Sequence, residues 1–315
     1  MGKNLKIFCI VLLLSAPFWW GIEALQTSVE GFFYEKAIAQ NPPMDNTILQ
    51  AHINLNLKKF PDYCEWRQIQ AGSAFRVTIN KSGEEKTFFA KNSQKQMPIA
   101  SITKLLTAVV ASEFYRENQN ITISKKAVAQ LESTGWLSSG EIFQLSDLLH
   151  IMLIESSNDA AFAITEPIGE EGFISLMNLK AKEIGISNSY FYTPTGLDPE
   201  DSNLPDNEIN YSTSYDLMKL AKYILANHPE IIEIIGKKEH NLYLQNGIFH
   251  HTLKTTNELL DEMPNILGGK TGSTEKAGGC LLLILEGEKA DTYEIAVILN
   301  SPAKFQDMTT LINCY

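Results

Sequence analysis

The chain predicts an α+β fold: one antiparallel sheet of about five strands, with a helical lobe inserted between the second and third, packed as a three-layer α/β/α sandwich. Two observations predict it. Strand-like runs lie at both ends of the region after residue 70, and runs of helical periodicity fill the interval between them. That order excludes a doubly wound arrangement, in which strands and helices alternate along the chain.

From Ala71 to Asn80 apolar and small residues alternate loosely with polar ones. Lys81-Ser82-Gly83 reads as a turn, and Glu85 to Lys91 returns as a second strand, giving a hairpin. Pro98-Ile99-Ala100 closes that segment. Ser101 to Tyr115 then carries Ile102, Leu105, Leu106, Val109, Val110 and Phe114 at the 3.6-residue recurrence of a helix. Leu145-Ser146-Asp147 marks another helix entry, with Leu148, Leu149, Met152 and Leu153 facing inward. The polar break Ser156-Ser157-Asn158 precedes an Ala-rich helix, and Phe173 to Ile184 and Ser214 to Ala226 are further amphipathic helices. Ile266 to Ser273, Gly278 to Glu286 and Thr292 to Asn300 are consecutive strands split by short turns, and Pro302 opens a last helix.

The 315 residues are 44% hydrophobic, enough for a sizeable core in one large domain or two small ones. A net charge of −11 excludes polyanion binding by bulk charge, so no nucleic-acid partner is expected. An anionic substrate would need locally placed lysines. Residues 1–45 read as a membrane-targeting segment with a stalk, and 46–315 as the functional domain. Lys3 and Lys6 flank an apolar run from Ile7 to Ile22, and Trp19 and Trp20 suit an interface. Ala37-Ile38-Ala39 has the form of a peptidase site, but Glu30 and Glu35 separate it from the apolar run. That spacing favours an uncleaved signal anchor over a signal peptide, although the run is short of the roughly 20 residues of a full span. Either way the remainder of the chain is expected to be exported. Cys9 falls in the anchor and Cys280 in an apolar strand; Cys64 and Cys314 flank the domain, where export would permit a bridge that sequence does not fix. No Cys/His spacing matches a zinc site, so neither a metal nor a cofactor is expected.

Three short runs carry chemistry. A lone S-x-x-K arises by chance on the order of once in a chain this long, and Ser273-Thr274-Glu275-Lys276 is a second match here. Placement distinguishes Ser101: it begins an apolar helix, and residues three apart share a face, so Lys104 lies beside its hydroxyl. A serine needs a neighbouring base to become a nucleophile. A lysine serves only when neutral, which burial and a second cation such as Lys270 would bring about. Ser156 can relay a proton between Lys104 and a leaving amine, and the Asn158 amide can bind a peptide group. By itself Ser156-Ser157-Asn158 reads as an inter-helix turn with Asn158 capping the next helix. On an edge strand, Lys270 and Thr271 can bind a terminal carboxylate, while Gly272 permits close backbone approach. Backbone N–H groups of Ser101 and Ser273 would form an oxyanion hole.

With these runs assembled, the chain resembles the penicillin-recognising serine enzymes, and among them the low-molecular-weight penicillin-binding proteins of peptidase family S11, the D-alanyl-D-alanine carboxypeptidases. Pro98 to Ala108, Glu155 to Ala161, Pro194-Thr-Gly-Leu-Asp198, Tyr211 to Leu217, Thr256-Asn257 and Gly269 to Thr274 carry the resemblance, which covers about Ala71 to Tyr315. It implies a β-lactamase/transpeptidase-like fold and attack by Ser101 on peptidoglycan stem peptides ending in D-Ala-D-Ala. Terminal D-alanine would be released at the outer face of the bacterial cell membrane, and β-lactams would acylate the same serine. Many relatives carry a further C-terminal β-rich domain and a terminal amphipathic helix, neither of which is expected beyond the final helix here, and Ser157 stands where glycine is frequent, a change expected to be harmless. The E-x-x-L-N run of class A β-lactamases is missing from the interval where it belongs. D,D-endopeptidase action uses the same residues, and a penicilloyl-accepting sensor or scaffold is the non-enzymatic alternative.

Overall fold

A computed structural model of the protein describes residues 68–132, 134–199 and 208–313. The targeting segment, the stalk, Cys9, Cys64 and Cys314 lie outside them. Hairpin β1 (Ser73–Asn80) and β2 (Glu85–Lys91) leads through β3 (Met97–Pro98) into a 3₁₀ turn, Ala100–Thr103, and helix α1 (Lys104–Phe114). The lobe continues with β4 (Asn120–Thr122), β5 (Ile142–Gln144), α2 (Leu145–Ile154), α3 (Asn158–Thr165) and α4 (Glu170–Ile184). Next come β6 (Tyr211–Ser212), α5 (Ser214–Asn227), α6 (Pro229–Ile235), and a second hairpin, β7 (Glu239–Tyr243) with β8 (Phe249–Lys254). One-turn α7 (Leu259–Glu262) precedes β9 (Ile266–Thr274), β10 (Gly278–Glu286), β11 (Thr292–Ser301) and α8 (Lys304–Asn313).

The main sheet has five antiparallel strands in the order β2-β1-β11-β10-β9, so the predicted α+β architecture holds. Its central strands read as unbroken apolar runs because both faces are covered. Cys280, Leu282 and Ile284 of β10, with Ile295, Val297 and Leu299 of β11, join the core of the helical lobe. The alternate residues Leu281, Leu283, Leu285, Ala296 and Ile298 pack with Met308, Leu311 and Ile312 of α8. Each leucine, isoleucine, valine or methionine among them, fully buried, contributes about 1.5–3 kcal/mol. Arg76 of β1 lies in that second layer at 2% exposure. Its guanidinium binds Glu294 of β11 at 2.8 and 3.0 Å and donates to the carbonyls of Leu311 and Ile312 at 3.2 and 2.7 Å, fixing the end of α8 to the sheet.

The differences from the sequence expectation are local. β1 starts at Ser73 rather than Ala71, whose backbone N–H instead donates to Asp307 at 2.7 Å. The helix expected from Ser101 opens with a 3₁₀ turn, which alters how Ser101 and Lys104 meet. Hairpin β7–β8 has no counterpart in the sequence reading: only Leu242 and Leu253 point into the core, too sparse an alternation to register as strands.

Candidate active site

The nucleophile segment is held by an unusual backbone. Ala100 adopts φ 47°, a left-handed conformation that costs a residue with a Cβ roughly 1–3 kcal/mol and so needs support from its surroundings. Gly196 provides it: at φ 83° its Cα lies so near that an added Cβ would sit 2.0 Å from the Ala100 carbonyl oxygen. In a 3₁₀ turn side chains three apart eclipse, and Lys104 Nζ accordingly lies 2.8 Å from Ser101 Oγ. Lys104 is fully buried and also donates to Asn158 Oδ1 at 2.7 Å and to the Thr195 carbonyl at 2.8 Å. A neutral amine has two N–H groups and one lone pair. Two carbonyl oxygens take the N–H groups, which leaves the lone pair for the Ser101 hydroxyl. Burial, followed by the charge of Lys270, holds the Lys104 pKa well below the ordinary lysine value, against a small opposing pull from Glu132.

The Ser156-Ser157-Asn158 turn corrects one sequence expectation, the cap of the helix that follows, and gives its other two residues definite partners. Both polar ends of the Asn158 amide have protein partners: Oδ1 accepts from Lys104 at 2.7 Å, and Nδ2 donates to the carbonyls of Leu131 at 2.8 Å and Glu132 at 3.3 Å. The amide thereby links Lys104 to the loop at Leu131 and Glu132. The cap of α3 is Ser157, which accepts from the Ala160 N–H at 3.2 Å, and not Asn158. Ser156, at φ 64°, places its hydroxyl 2.8 Å from Lys270 Nζ, which donates to it.

Lys270 projects from β9, the sheet edge that faces the nucleophile. It is 1% exposed, and burial, with the charge of Lys304, lowers its pKa to about 7. Thr271 Oγ1 pairs with Thr256 Oγ1 at 2.5 Å. Gly272 passes so close that an added Cβ would meet the Ser101 backbone nitrogen at 3.0 Å, which is how the edge strand comes alongside the nucleophile. Ser273 is exposed at the next position along that edge. Ser101, Lys104, Ser156, Asn158, Lys270 and Gly272 are thus brought together, with Thr271 and Ser273 at the adjoining positions of the same edge strand. The second S-x-x-K does not reproduce it: Lys276 lies in the β9–β10 turn, where its backbone N–H donates to Asp198 at 2.9 Å.

Residues that the motifs did not assign roles to hold this geometry. Asn210 accepts from the N–H groups of Tyr192 and Thr193 at 2.7 and 3.0 Å and donates to Thr103 Oγ1 at 2.9 Å. Thr107 Oγ1 donates to the Pro194 carbonyl at 2.7 Å, and Asp198 accepts from Thr274 Oγ1 at 2.9 Å. The Pro194–Asp198 loop is thereby tied to the nucleophile turn and to the end of β9. A lone asparagine ahead of Tyr211 carries no sequence signal for that task.

A depressed lysine pKa also bears on stability. Below about 7 a folded chain carries a buried charge on Lys270 that the unfolded chain, with its lysine pKa near 10.4, carries in water. Between those values the unfolded state binds the extra proton, so stability rises with pH. Urea unfolding should therefore give a higher midpoint at pH 9 than at pH 7. Lys270→Met should flatten that rise; an equal pH slope in the variant would assign the rise to other groups.

The five-stranded sheet, the inserted lobe and a serine–lysine pair facing an edge strand define a β-lactamase/transpeptidase-like protein. The chain belongs to the peptidase S11 family, described as D-alanyl-D-alanine carboxypeptidase, whose profile matches residues 61–303. It is 32% identical over 223 residues to the D-alanyl-D-alanine carboxypeptidase DacF of Bacillus subtilis, covering 69% of this chain and 54% of that protein. To a D-alanyl-D-alanine endopeptidase of Escherichia coli it is 31% identical, covering 69% of this chain and 67% of the relative. The chain thus spans about half to two thirds of the length of these relatives. Among solved structures it is similar to the Streptomyces K15 DD-transpeptidase (TM-score 0.67, 26% identity, 78% of this chain and 97% of that one). It is likewise similar to penicillin-binding protein D2 of Listeria monocytogenes in its cefotaxime-bound form (TM-score 0.65, 26% identity, 78% and 96%).

Proposed function

We propose that the protein is a serine D-alanyl-D-alanine carboxypeptidase that removes the terminal D-alanine of peptidoglycan stem peptides. The observation that carries this reading is the Lys104 amine, whose two N–H groups are engaged by Asn158 and Thr195 while the third contact is Ser101 Oγ. Lys104 takes the Ser101 proton as Oγ attacks the carbonyl of the penultimate D-alanine. The backbone N–H groups of Ser101 and Ser273 stabilise the oxyanion. Ser156, replenished from Lys270, passes a proton to the departing D-alanine amine; water then attacks the ester, its proton returning through Ser156 to Lys270, while Lys104 gives back to the departing Ser101 Oγ the proton it took. Lys270 and Thr271 attract the terminal carboxylate. A β-lactam would enter by the same attack. Family membership and the β-lactam-bound Listeria neighbour support the substrate and inhibitor class.

The test is incubation of the purified protein with diacetyl-Lys-D-Ala-D-Ala, monitored for free D-alanine. A protein that labels with a β-lactam but releases no D-alanine would fit a sensor instead. The endopeptidase-named relatives favour D,D-endopeptidase action as a second reading, and a cross-linked muropeptide dimer offered in parallel separates the two. Lys270→Ala is expected to lose roughly 10- to 100-fold in kcat/KM on the free carboxylate, the worth of one charge-assisted hydrogen bond. The loss should be smaller on the C-terminally amidated peptide; equal losses would remove Lys270 from carboxylate recognition. The lysine-flanked apolar run at Ile7–Ile22 supports an exported, membrane-anchored location; protease protection in intact cells tests that placement.

A further inference from the structure

His250 and His251 are consecutive in β8, and consecutive residues of a strand ordinarily point to opposite faces. Here the pairing of β7 with β8 shifts: His251 stands opposite Leu242 but Phe249 stands opposite Tyr243, so His250 is an extra residue in the ladder. A bulge of this kind re-aims a side chain. It brings the two rings together, with centroids 4.8 Å apart and Nδ1 facing Nδ1 at 2.6 Å. Each ring turns its Nε2 to a carboxylate, His250 to Glu141 at 3.3 Å and His251 to Glu155 at 3.2 Å. Phe143 of β5 packs edge-on against the His250 ring.

Hydrogen counting fixes the state of this pair. Carboxylates only accept, so each Nε2 carries a hydrogen. Two Nδ1 atoms in contact need one hydrogen between them: with none, two lone pairs face each other, and with two, the N–H groups collide. One ring is therefore neutral and the other an imidazolium, a single positive charge set between Glu141 and Glu155. Hydrogen bonds assisted by charge are the stronger kind. Of the other charged groups nearby, Lys254 of β8 and Asp159 of α3 line one cavity with Glu155, and Lys254 is exposed. β7 sets an apolar residue, Leu242, opposite His251, and His150 of α2 stacks on His240 instead.

The far end of this chain of contacts is Ser156. A residue with a Cβ holds a left-handed conformation only where its neighbours enforce it, and Ser156 sits at φ 64°. Glu155, immediately before it, is gripped at each acceptor: Oε2 by His251, Oε1 by the Lys254 N–H at 3.4 Å, and the carbonyl by Thr134 Oγ1 at 3.0 Å. Two of those three donors belong to β8. We propose that His251, backed by His250, is a positioning residue for Ser156: the bridged rings hold Glu155, and thereby keep the Ser156 hydroxyl aimed to protonate the departing amine. The proposal rests on the carboxypeptidase reading of the site. As the C–N bond breaks, the nitrogen takes the Ser156 proton, and Lys270, 2.8 Å from that oxygen, replaces it.

The test compares leaving groups in the full-length protein. In diacetyl-Lys-D-Ala-D-Ala the nitrogen must gain a proton in order to leave. In the matching D-thiolactate thioester the thiolate departs with its electron pair and needs none. His251→Ala is expected to slow acylation by the peptide about 10-fold, the worth of one charge-assisted hydrogen bond, and acylation by the thioester less than about two-fold. His251→Gln, whose amide restores an N–H donor, should recover most of the peptide rate. His250→Phe, which keeps a ring but removes the Nδ1 partner, should again slow the peptide and spare the thioester. Equal slowing of both substrates, an unchanged peptide rate, or no recovery in His251→Gln would overturn the proposal. Labelling by a β-lactam, whose ring nitrogen also takes up a proton on opening, keeps the two readings apart. A wild-type protein that labels but releases no D-alanine counts against the carboxypeptidase reading; slower labelling of His251→Ala, restored in His251→Gln, would still support the positioning role.

Discussion

Ser101→Ala is expected to abolish both covalent labelling by a β-lactam and release of D-alanine, and Lys104→Ala to remove most of the same activity, about 10²–10⁴-fold in kcat/KM. The reason is the bonding at Lys104 Nζ. Asn158 Oδ1 and the Thr195 carbonyl occupy its N–H groups at 2.7 and 2.8 Å, so the lone pair is the part of the amine that meets Ser101. Lys104→Arg separates this role from simple electrostatics. A guanidinium keeps the positive charge but cannot give up a proton in the working range, so it should fail to rescue. Recovery of acylation in the arginine variant would show that charge, and not basicity, is what the site requires. Lys276→Ala, in the second S-x-x-K, should lose far less, because that lysine lies in the β9–β10 turn. If Lys276 proved indispensable and Lys104 dispensable, the assignment of the nucleophile would fall.

Gly196→Ala should damage the protein more than its distance from the reacting atoms suggests. The new methyl would sit 2.0 Å from the Ala100 carbonyl oxygen and 2.8 Å from Thr103 Oγ1, on a backbone at φ 83°. Left-handed strain and overpacking together cost about 2–6 kcal/mol. In a domain of this size each kcal/mol lowers Tm by about 2–4 °C. Relief can come only by moving the Pro194–Asp198 loop or the Ala100 peptide, and either motion shifts Thr195 or Ser101 relative to Lys104. Acylation by a β-lactam should therefore fall by more than the loss of folded protein explains. A variant with wild-type Tm and wild-type acylation rate would mean that the loop is not wedged against the nucleophile turn.

Much of this site was legible because its signals are dense. Apolar recurrence places Ser101 and Lys104 on one turn, and unbroken apolar runs mark β10 and β11 as buried on both faces. Hydrogen-bond partners were not legible. Asn158 and Ser156 were identified as site residues, yet their partners, Lys104 for one and Lys270 for the other, depend on which way a left-handed Ser156 aims the turn. Asn210 and Thr195 act through a side-chain amide and a backbone carbonyl on a loop, where neither periodicity nor spacing marks them. The α8 clamp was hidden for a related reason: an arginine inside a strand reads as solvent-facing until its carboxylate partner, Glu294, is placed beside it on β11.

The pairing of β1 with β11, in the register Ser73↔Leu299, has a consequence for how the protein comes into being. A nascent chain grown through β10 already holds every side chain assigned here to binding or catalysis. It still lacks the middle strand, the one that seats the first hairpin beside β10 and so brings the nucleophile turn to the β9 edge. Such distant pairings are slow to form. Chemistry should therefore switch on late and all at once, and a polypeptide halted or clipped before Thr292 should be inert rather than weakly active.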